Sequence, residues 1–209
     1  MKIAIAIVTN RQVKPKTVLC LMQMLAQTEH DVFPIVSSEH YTTAEGRNYC
    51  VIQAIRQNCT HILFLDDDMT FPSDTIERLL AHGKELVGVY SYSRVLPLCS
   101  TVAFLDAEGN YIPKDKMGFV KRPETLFKCH SVGMGVALID MKLFSVIDKP
   151  WFAFNMHESG AMLLGEDAHL CAQARNKGID VYCDPTLSIG HLGEYCYDEL
   201  DEKDNVIYA

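Results

Sequence analysis

Three short apolar runs recur in the first ninety residues: 3–8 ("IAIAIV"), 61–65 ("HILFL") and 85–90 ("ELVGVY"). A strand with one wet face alternates apolar and polar residues. A continuous apolar run of this length needs a strand covered on both faces. Helical segments separate these runs. Residues 17–26 are rich in Leu and Met, and residues 44–58 carry a stripe of Val51, Ile52 and Ile55. A third helix opens at Pro72 and Ser73 and stops at Gly83, and Asp74 and Glu77 have the spacing of a capping box. Alternation of strand and helix implies parallel strands joined by right-handed crossovers, hence an α/β domain. The segment "DVFPIVSS" adds a strand, and its Pro34 cannot donate to a ladder, so an edge position or an irregular strand is expected.

The second half is less regular. A hairpin is expected around residues 108–110, and "KCHSVGMGVALID" reads as one strand interrupted by Gly133 and Gly135. "GEDAHLCAQARNKG" is a helix with acids at its start and Gly178 as its stop. "DVYCDP" reads as the final strand. Residues 1–193 form one domain, with halves 1–95 and 96–193, followed by an acidic tail over 194–209.

Composition bounds the function. The net charge of −8 argues against a nucleic-acid partner or a polybasic membrane anchor. No apolar stretch approaches the roughly 18 residues of a membrane span, and the run at 3–8 is shorter than the 7–15 residues of a signal-peptide core. The eight cysteines include no CxxC pair, so zinc-ribbon and thioredoxin readings fail. They read as reduced core thiols in a cytoplasmic protein, with disulfides as the alternative. The sequon at Asn58 is read as chance.

The buried run at 61–65 ends in Asp66, Asp67 and Asp68. In an open α/β sheet, ligands bind at the carboxyl ends of strands. Alternate residues of an extended chain share a side, so Asp66 and Asp68 are expected to point together. Clustered carboxylates repel unless a cation joins them. Hard divalent ions take oxygen ligands and keep bonds to substrate phosphates. The arrangement points to a metal that neutralises a diphosphate, supplying the positive charge this acidic chain lacks. The alternative is a solvated turn of capping acids.

A buried strand ending in DXD after an N-terminal α/β half resembles the GT-A fold of nucleotide-sugar glycosyltransferases. Three further motifs match in order: "IVTN" at 7–10, "GRN" at 46–48 and the "GED" helix at 165–178. Together they span about residues 1–193. The resemblance implies a single Rossmann-like GT-A domain, similar to small viral or bacterial family-2 members, with a mostly parallel central sheet, flanking helices and a small antiparallel second half. It implies that Thr9 and Asn10 meet the nucleotide, that Arg47 lies near the donor, and that Asp66 or Asp67 touches the ribose or donor sugar. Gly133 and Gly135 would wall the sugar pocket. They form no dinucleotide fingerprint, since the third glycine is missing.

Glu166 and Asp167 at a helix start are either plain caps or reactive acids. A carboxylate held ionised there can take the proton from an attacking hydroxyl. The resemblance puts the base on Asp167 and acceptor or sugar orientation on Glu166. His191, between Gly190 and Gly193, is a structural histidine or, by the resemblance, a metal ligand beside Asp68, with Asp66 as a further ligand. Imidazole ligation suits Mn²⁺ better than Mg²⁺, which stays possible. Arg94 can meet a phosphate or the acceptor, or form a surface ion pair. Trp151 and Phe152 offer an acceptor-sugar platform or anchor the core.

The expected activity is therefore hexosyl transfer from a nucleoside diphosphate sugar, UDP favoured and GDP possible, to a glycan or other hydroxyl acceptor. Inversion uses Asp167 as base. Retention stays open, because some retaining members share an "RN" helix. Two rivals are a non-catalytic nucleotide-sugar-binding module and a sugar nucleotidyltransferase. The latter usually has a glycine-rich loop after the first strand, and "TNRQVKPK" lacks the glycine.

Overall fold

The computed structural model describes residues 1–9, 12–39, 42–94, 98–112, 121–193 and, as backbone, 196–197. The rest of the acidic tail expected over 194–209 lies outside them. The chain runs β1 (Lys2–Val8), α1 (Pro15–Gln27), β2 (Asp31–Ser37), α2 (Thr43–Arg56), β3 (His61–Asp66), β4 (Met69–Thr70), α3 (Thr75–Ala81) and β5 (Leu86–Val89). There follow β6 (Phe127–Cys129), β7 (Val136–Asp140), α4 (Leu143–Val146), β8 (Asn155–Met156), β9 (Met162–Leu164), α5 (Glu166–Asn176), β10 (Val181–Asp184), β11 (Gly190–Leu192) and β12 (Cys196–Tyr197).

Seven strands make the main sheet in the order β2-β1-β3-β7-β5-β10-β6. β2 is an edge strand, as Pro34 requires. The β2–β1, β1–β3 and β5–β10 pairs are parallel, and β7 and β6 run against them. The continuous apolar runs are explained by burial on both faces. Ile3, Ile5, Ile7, Leu63 and Leu65 pack with Met24 of α1 on one side. Ala4, Ala6, Ile62 and Phe64 pack with Cys50, Val51 and Ala54 of α2 on the other. Each fully buried Ile, Leu or Phe here is worth about 1.5–3 kcal/mol.

Three expectations about elements need correction. Asp74 caps α3 by position only, because its side chain bonds no helix N–H. "KCHSVGMGVALID" is two strands on opposite sides of β10 and β5, because residues 130–135 leave the sheet between them. β10 is not the last strand, since β11 and β12 form a second sheet with β4. The hairpin expected around 108–110 is present: Leu105 bridges Tyr111, the Asp106 N–H donates to the Asn110 carbonyl (2.8 Å), and Asp106 Oδ1 accepts from the Glu108 and Asn110 N–H groups. Among the described cysteines, Cys50, Cys59, Cys129, Cys171 and Cys183 are free thiols buried in the core. Among the described residues no helix is long and apolar enough to cross a membrane.

Candidate active site

Parallel register sets the site. Val8 lies level with Asp66, so β1 and β3 end together and Thr9 sits beside Asp67. β7 runs antiparallel and begins where β3 ends. The Asp66 N–H donates to the Gly135 carbonyl (2.9 Å), and this brings Gly133 and Gly135 to the same edge. The result is a cleft of about 370 Å³. Its lining includes Thr9, Arg47, Asp66, Asp67, Asp68, Arg94, Gly133, Gly135, Glu166, Asp167 and His191. Asn10 lies outside the described residues.

The three aspartates do not alternate as an extended strand would. β3 stops at Asp66, and residues 67–68 form a turn. The chain then restarts as β4, which pairs with β11. Each carboxylate consequently finds a different partner. Asp66 Oδ1 accepts from Arg47 Nη2 (3.0 Å), and Asp67 Oδ2 accepts from Thr9 Oγ1 (2.5 Å). Asp68 faces His191 Nε2 (3.2 Å) and Arg94 Nη1 (2.7 Å).

The β4–β11 ladder sets His191 opposite Met69, and the Leu192 N–H donates to the Asp68 carbonyl (2.7 Å). His191 is thus fixed by backbone bonds rather than by loop chance. Its Nδ1–H donates to the Tyr92 carbonyl (2.8 Å), which turns Nε2 toward Asp68. Burial alone would lower the His191 pKa, but the hydrogen bonds to Asp68 and Tyr92 hold it above its usual value. Burial would likewise raise Asp68, yet His191 and Arg94 hold it below the ordinary carboxylate range. Asp67 moves the other way. Burial raises it, helped by Asp68 and Asp66 and opposed by the Thr9 hydrogen bond.

A carboxylate and an imidazole nitrogen facing each other need a proton or a metal between them. The second ring nitrogen is bound to a backbone carbonyl, the usual support of a metal-ligating histidine. The pair therefore fits a divalent ion with oxygen and nitrogen ligands. Asp66, the further ligand expected, has its Oδ1 on Arg47 Nη2 (3.0 Å), and among the described residues no three His, Cys, Asp or Glu side chains converge on one point.

Arg47 is the electrostatic hub. Gly46 packs α2 so tightly on β1 that an added Cβ would lie 2.6 Å from Val8 Cγ1. This seats the Arg47 guanidinium against the rings of Phe64 and Phe152, 5.6 and 5.9 Å from their centroids. It is buried, pairs with Asp66, and faces Glu166 Oε1 from Nε at 3.5 Å. Its Nη1 has no hydrogen-bond partner among the described residues. Removing the charge leaves two carboxylates without their cation. Glu166 is largely covered but Asp66 is about one-third exposed, so the expected loss is below that of a fully buried pair. Arg47→Met is expected to cost about 2–3 kcal/mol, seen as a melting temperature lower by about 4–12 °C. Arg47→Lys should recover little, because an ammonium cannot fork to both acids. A change below about 1 kcal/mol would refute the hub.

At the start of α5, Gly165 is the N-cap residue and offers no side chain. Asp167 Oδ1 accepts from the Ala168 N–H (2.7 Å). The carboxylate does partly cap its helix, yet it stays in the cleft. Gly133 and Gly135 stand where a side chain would intrude. A Cβ at Gly135 would lie 3.1 Å from Asp66 Oδ2, and one at Gly133 3.3 Å from Thr101 Cβ.

Trp151 does not reach the cleft. It is 2% exposed, its indole N–H donates to the Phe144 carbonyl (3.1 Å), and it packs edge-on against the Phe144 ring. Phe152 is equally buried, so the expected platform is core. The sequence reading also missed Ser37, Thr42, Thr43, Ser91, Thr101 and Met134, which line the cleft. Of these, Thr42 had a signal. With Glu45 it forms a true capping box at the start of α2.

No protein-family model matches the sequence, and no curated protein does. Among solved structures the chain is similar to A197 from STIV, at 16% identity and a TM-score of 0.65, over 100% of this chain and 94% of that one. It is also similar to GalNAc-T7, crystallised with UDP, GalNAc and Mn²⁺, at 11% identity and a TM-score of 0.50. That match covers 92% of this chain but only 44% of the other. These likenesses establish the fold: a single GT-A domain with a mostly parallel central sheet.

Proposed function

We propose that this GT-A domain is a metal-dependent glycosyltransferase. It moves a hexose from a nucleoside diphosphate sugar, UDP favoured over GDP, to the hydroxyl of a glycan or similar acceptor. One observation carries the reading. Asp68, in the turn after β3, and His191 of β11 meet at 3.2 Å in the cleft that also holds Asp167. GalNAc-T7 was crystallised with UDP and Mn²⁺, which supports the donor class and the ion.

Thr9, with Asp66 and Asp67, meets the nucleoside and donor sugar in the half before residue 95. Arg47, which lines the cleft, lies near the donor, and Gly133 and Gly135 let the sugar approach backbone. Arg94 shifts from Asp68 to a phosphate or the acceptor. A Mn²⁺ held by Asp68 and His191, or Mg²⁺ in its place, would neutralise the departing diphosphate. Asp167 takes the proton of the acceptor hydroxyl as its oxygen bonds to the anomeric carbon. The bond from that carbon to the diphosphate oxygen breaks, and the electron pair leaves with the diphosphate. Glu166, tied to Arg47, orients the acceptor or sugar. The free thiols of Cys50, Cys59, Cys129, Cys171 and Cys183, all buried, support a cytoplasmic place of work.

Incubation with UDP- and GDP-sugars tests this. Mn²⁺-dependent release of nucleoside diphosphate, raised by an acceptor and abolished by chelator, is expected. Nucleotide binding without turnover, across donors and acceptors, would make the chain a binding module instead.

A further inference from the structure

β5 ends at Val89, and the chain passes through Ser91 to a bridge between Tyr92 and Ser100, which sets Thr101 beside Ser91. The Thr101 N–H donates to the Ser91 carbonyl (2.9 Å). The two side chains then meet, with Ser91 Oγ 2.8 Å from Thr101 Oγ1. Both residues line the cleft that holds Asp167. Gly133 relates this pair to the candidate base. A Cβ built on that glycine would lie 3.4 Å from Thr101 Oγ1 and 3.9 Å from Asp167 Oδ2. A hydroxyl and a carboxylate oxygen thus flank one stretch of bare backbone.

The hydroxyl protons fix what the pair can do. Thr101 Oγ1 also lies 3.1 Å from the Ser91 carbonyl oxygen. A carbonyl only accepts, so the Thr101 proton goes there. A hydroxyl has one proton to give, so the Ser91 proton goes to Thr101 Oγ1. Ser91 Oγ is left with lone pairs only. Ser91 is 6% exposed yet lines the cleft, so a group entering the cleft can reach it. A carboxylate is likewise an acceptor without a proton. Around Gly133 the side chains of Ser91, Thr101 and Asp167 therefore offer acceptors and ask for donors.

Resting on the glycosyltransferase reading, we propose that Ser91 and Thr101 select the transferred hexose by a ring hydroxyl that donates its proton. The hexose lies against Gly133, and that hydroxyl gives its hydrogen bond to Ser91 Oγ. Thr101 sets the direction of the bond by taking the Ser91 proton. Asp167 stays available to the attacking hydroxyl of the acceptor. A substituent that can only accept meets lone pairs at Ser91 and is disfavoured.

The test is calorimetric titration of the full chain with Mn²⁺ and no acceptor. The probes are UDP, UDP-glucose, UDP-galactose, and the deoxy and deoxyfluoro forms of both sugars at each ring hydroxyl. At one ring position both replacements should bind about 2–12-fold more weakly than the hydroxyl, the worth of one neutral hydrogen bond. Fluorine cannot donate, so it should do no better than hydrogen there. Ser91→Ala should erase the preference at that position alone, and UDP, which carries no sugar, should bind as before. Thr101→Val keeps the shape but releases the Ser91 proton, so the deoxyfluoro sugar should then bind more tightly than the deoxy one. A deoxyfluoro sugar that binds the parent as tightly as the hydroxyl, where the deoxy sugar does not, means that the hydroxyl accepts, and overturns the proposal. A panel in which no position responds to Ser91→Ala or Thr101→Val, with UDP and Mn²⁺ still bound, also overturns it and leaves the transferase reading standing. Absence of UDP–Mn²⁺ binding refutes the functional reading itself.

Discussion

Asp167→Asn is expected to lower sugar transfer by about 10²–10⁴-fold, the usual worth of a positioned base, while nucleotide and metal affinity stay within about twofold. The amide keeps the side-chain oxygen that accepts the Ala168 N–H, so the start of α5 and the folded state should be little changed. Only the proton-accepting capacity goes. Glu166→Gln provides the contrast. Glu166 faces Arg47, so its loss should show mainly as weaker acceptor or donor binding and a modest drop in stability. The anomeric configuration of the product completes the test. Inversion with a large Asp167→Asn effect supports a single displacement. Retention, with transfer within tenfold of the parent, would remove Asp167 from the base role.

The second large effect belongs to Asp68. Its two oxygens serve two partners, His191 Nε2 and Arg94 Nη1. Asn can accept from Arg94, but it brings no negative charge to a divalent ion. Asp68→Asn should weaken metal uptake at least a hundredfold and slow transfer about 10³-fold, comparable to removing a principal group that stabilises transition-state charge. High Mn²⁺ should restore only part of the rate. Asp66→Asn is predicted to act differently: its carboxylate is held by Arg47, so metal uptake should survive. Equal losses in both variants would contradict the divergence of the aspartates seen in the turn.

Most of the fold was legible because it is written in local signals. Continuous apolar runs marked β1, β3 and β5, and Pro34 marked the edge. β7 was harder, since nothing local says that a strand from the second half inserts antiparallel between β3 and β5. The fate of the aspartates was illegible for a similar reason. The turn at 67–68 is held by the pairing of Met69–Thr70 with residues from the far end of the chain. The meeting of Asp68 with His191 came from family resemblance, and the β4–β11 ladder now supplies its physical cause. Arg47 was noticed only as a cation near the donor. Its bridge to Glu166 joins distant segments and leaves no spacing to read. Trp151 misled because an aromatic in an irregular segment looks alike whether it anchors a core or faces a sugar. The threonines and serines of the cleft were hidden because short hydroxyl residues carry no pattern until a backbone gathers them.

The central claim is that Asp68 and His191 hold a divalent ion together with a diphosphate. Electron paramagnetic resonance of Mn²⁺ titrated into the intact chain, with and without UDP, addresses it directly. The free-ion signal should vanish up to one Mn²⁺ per chain when UDP is present, and much less so in its absence. A free-ion signal that UDP leaves unchanged, with the protein folded, would contradict the account.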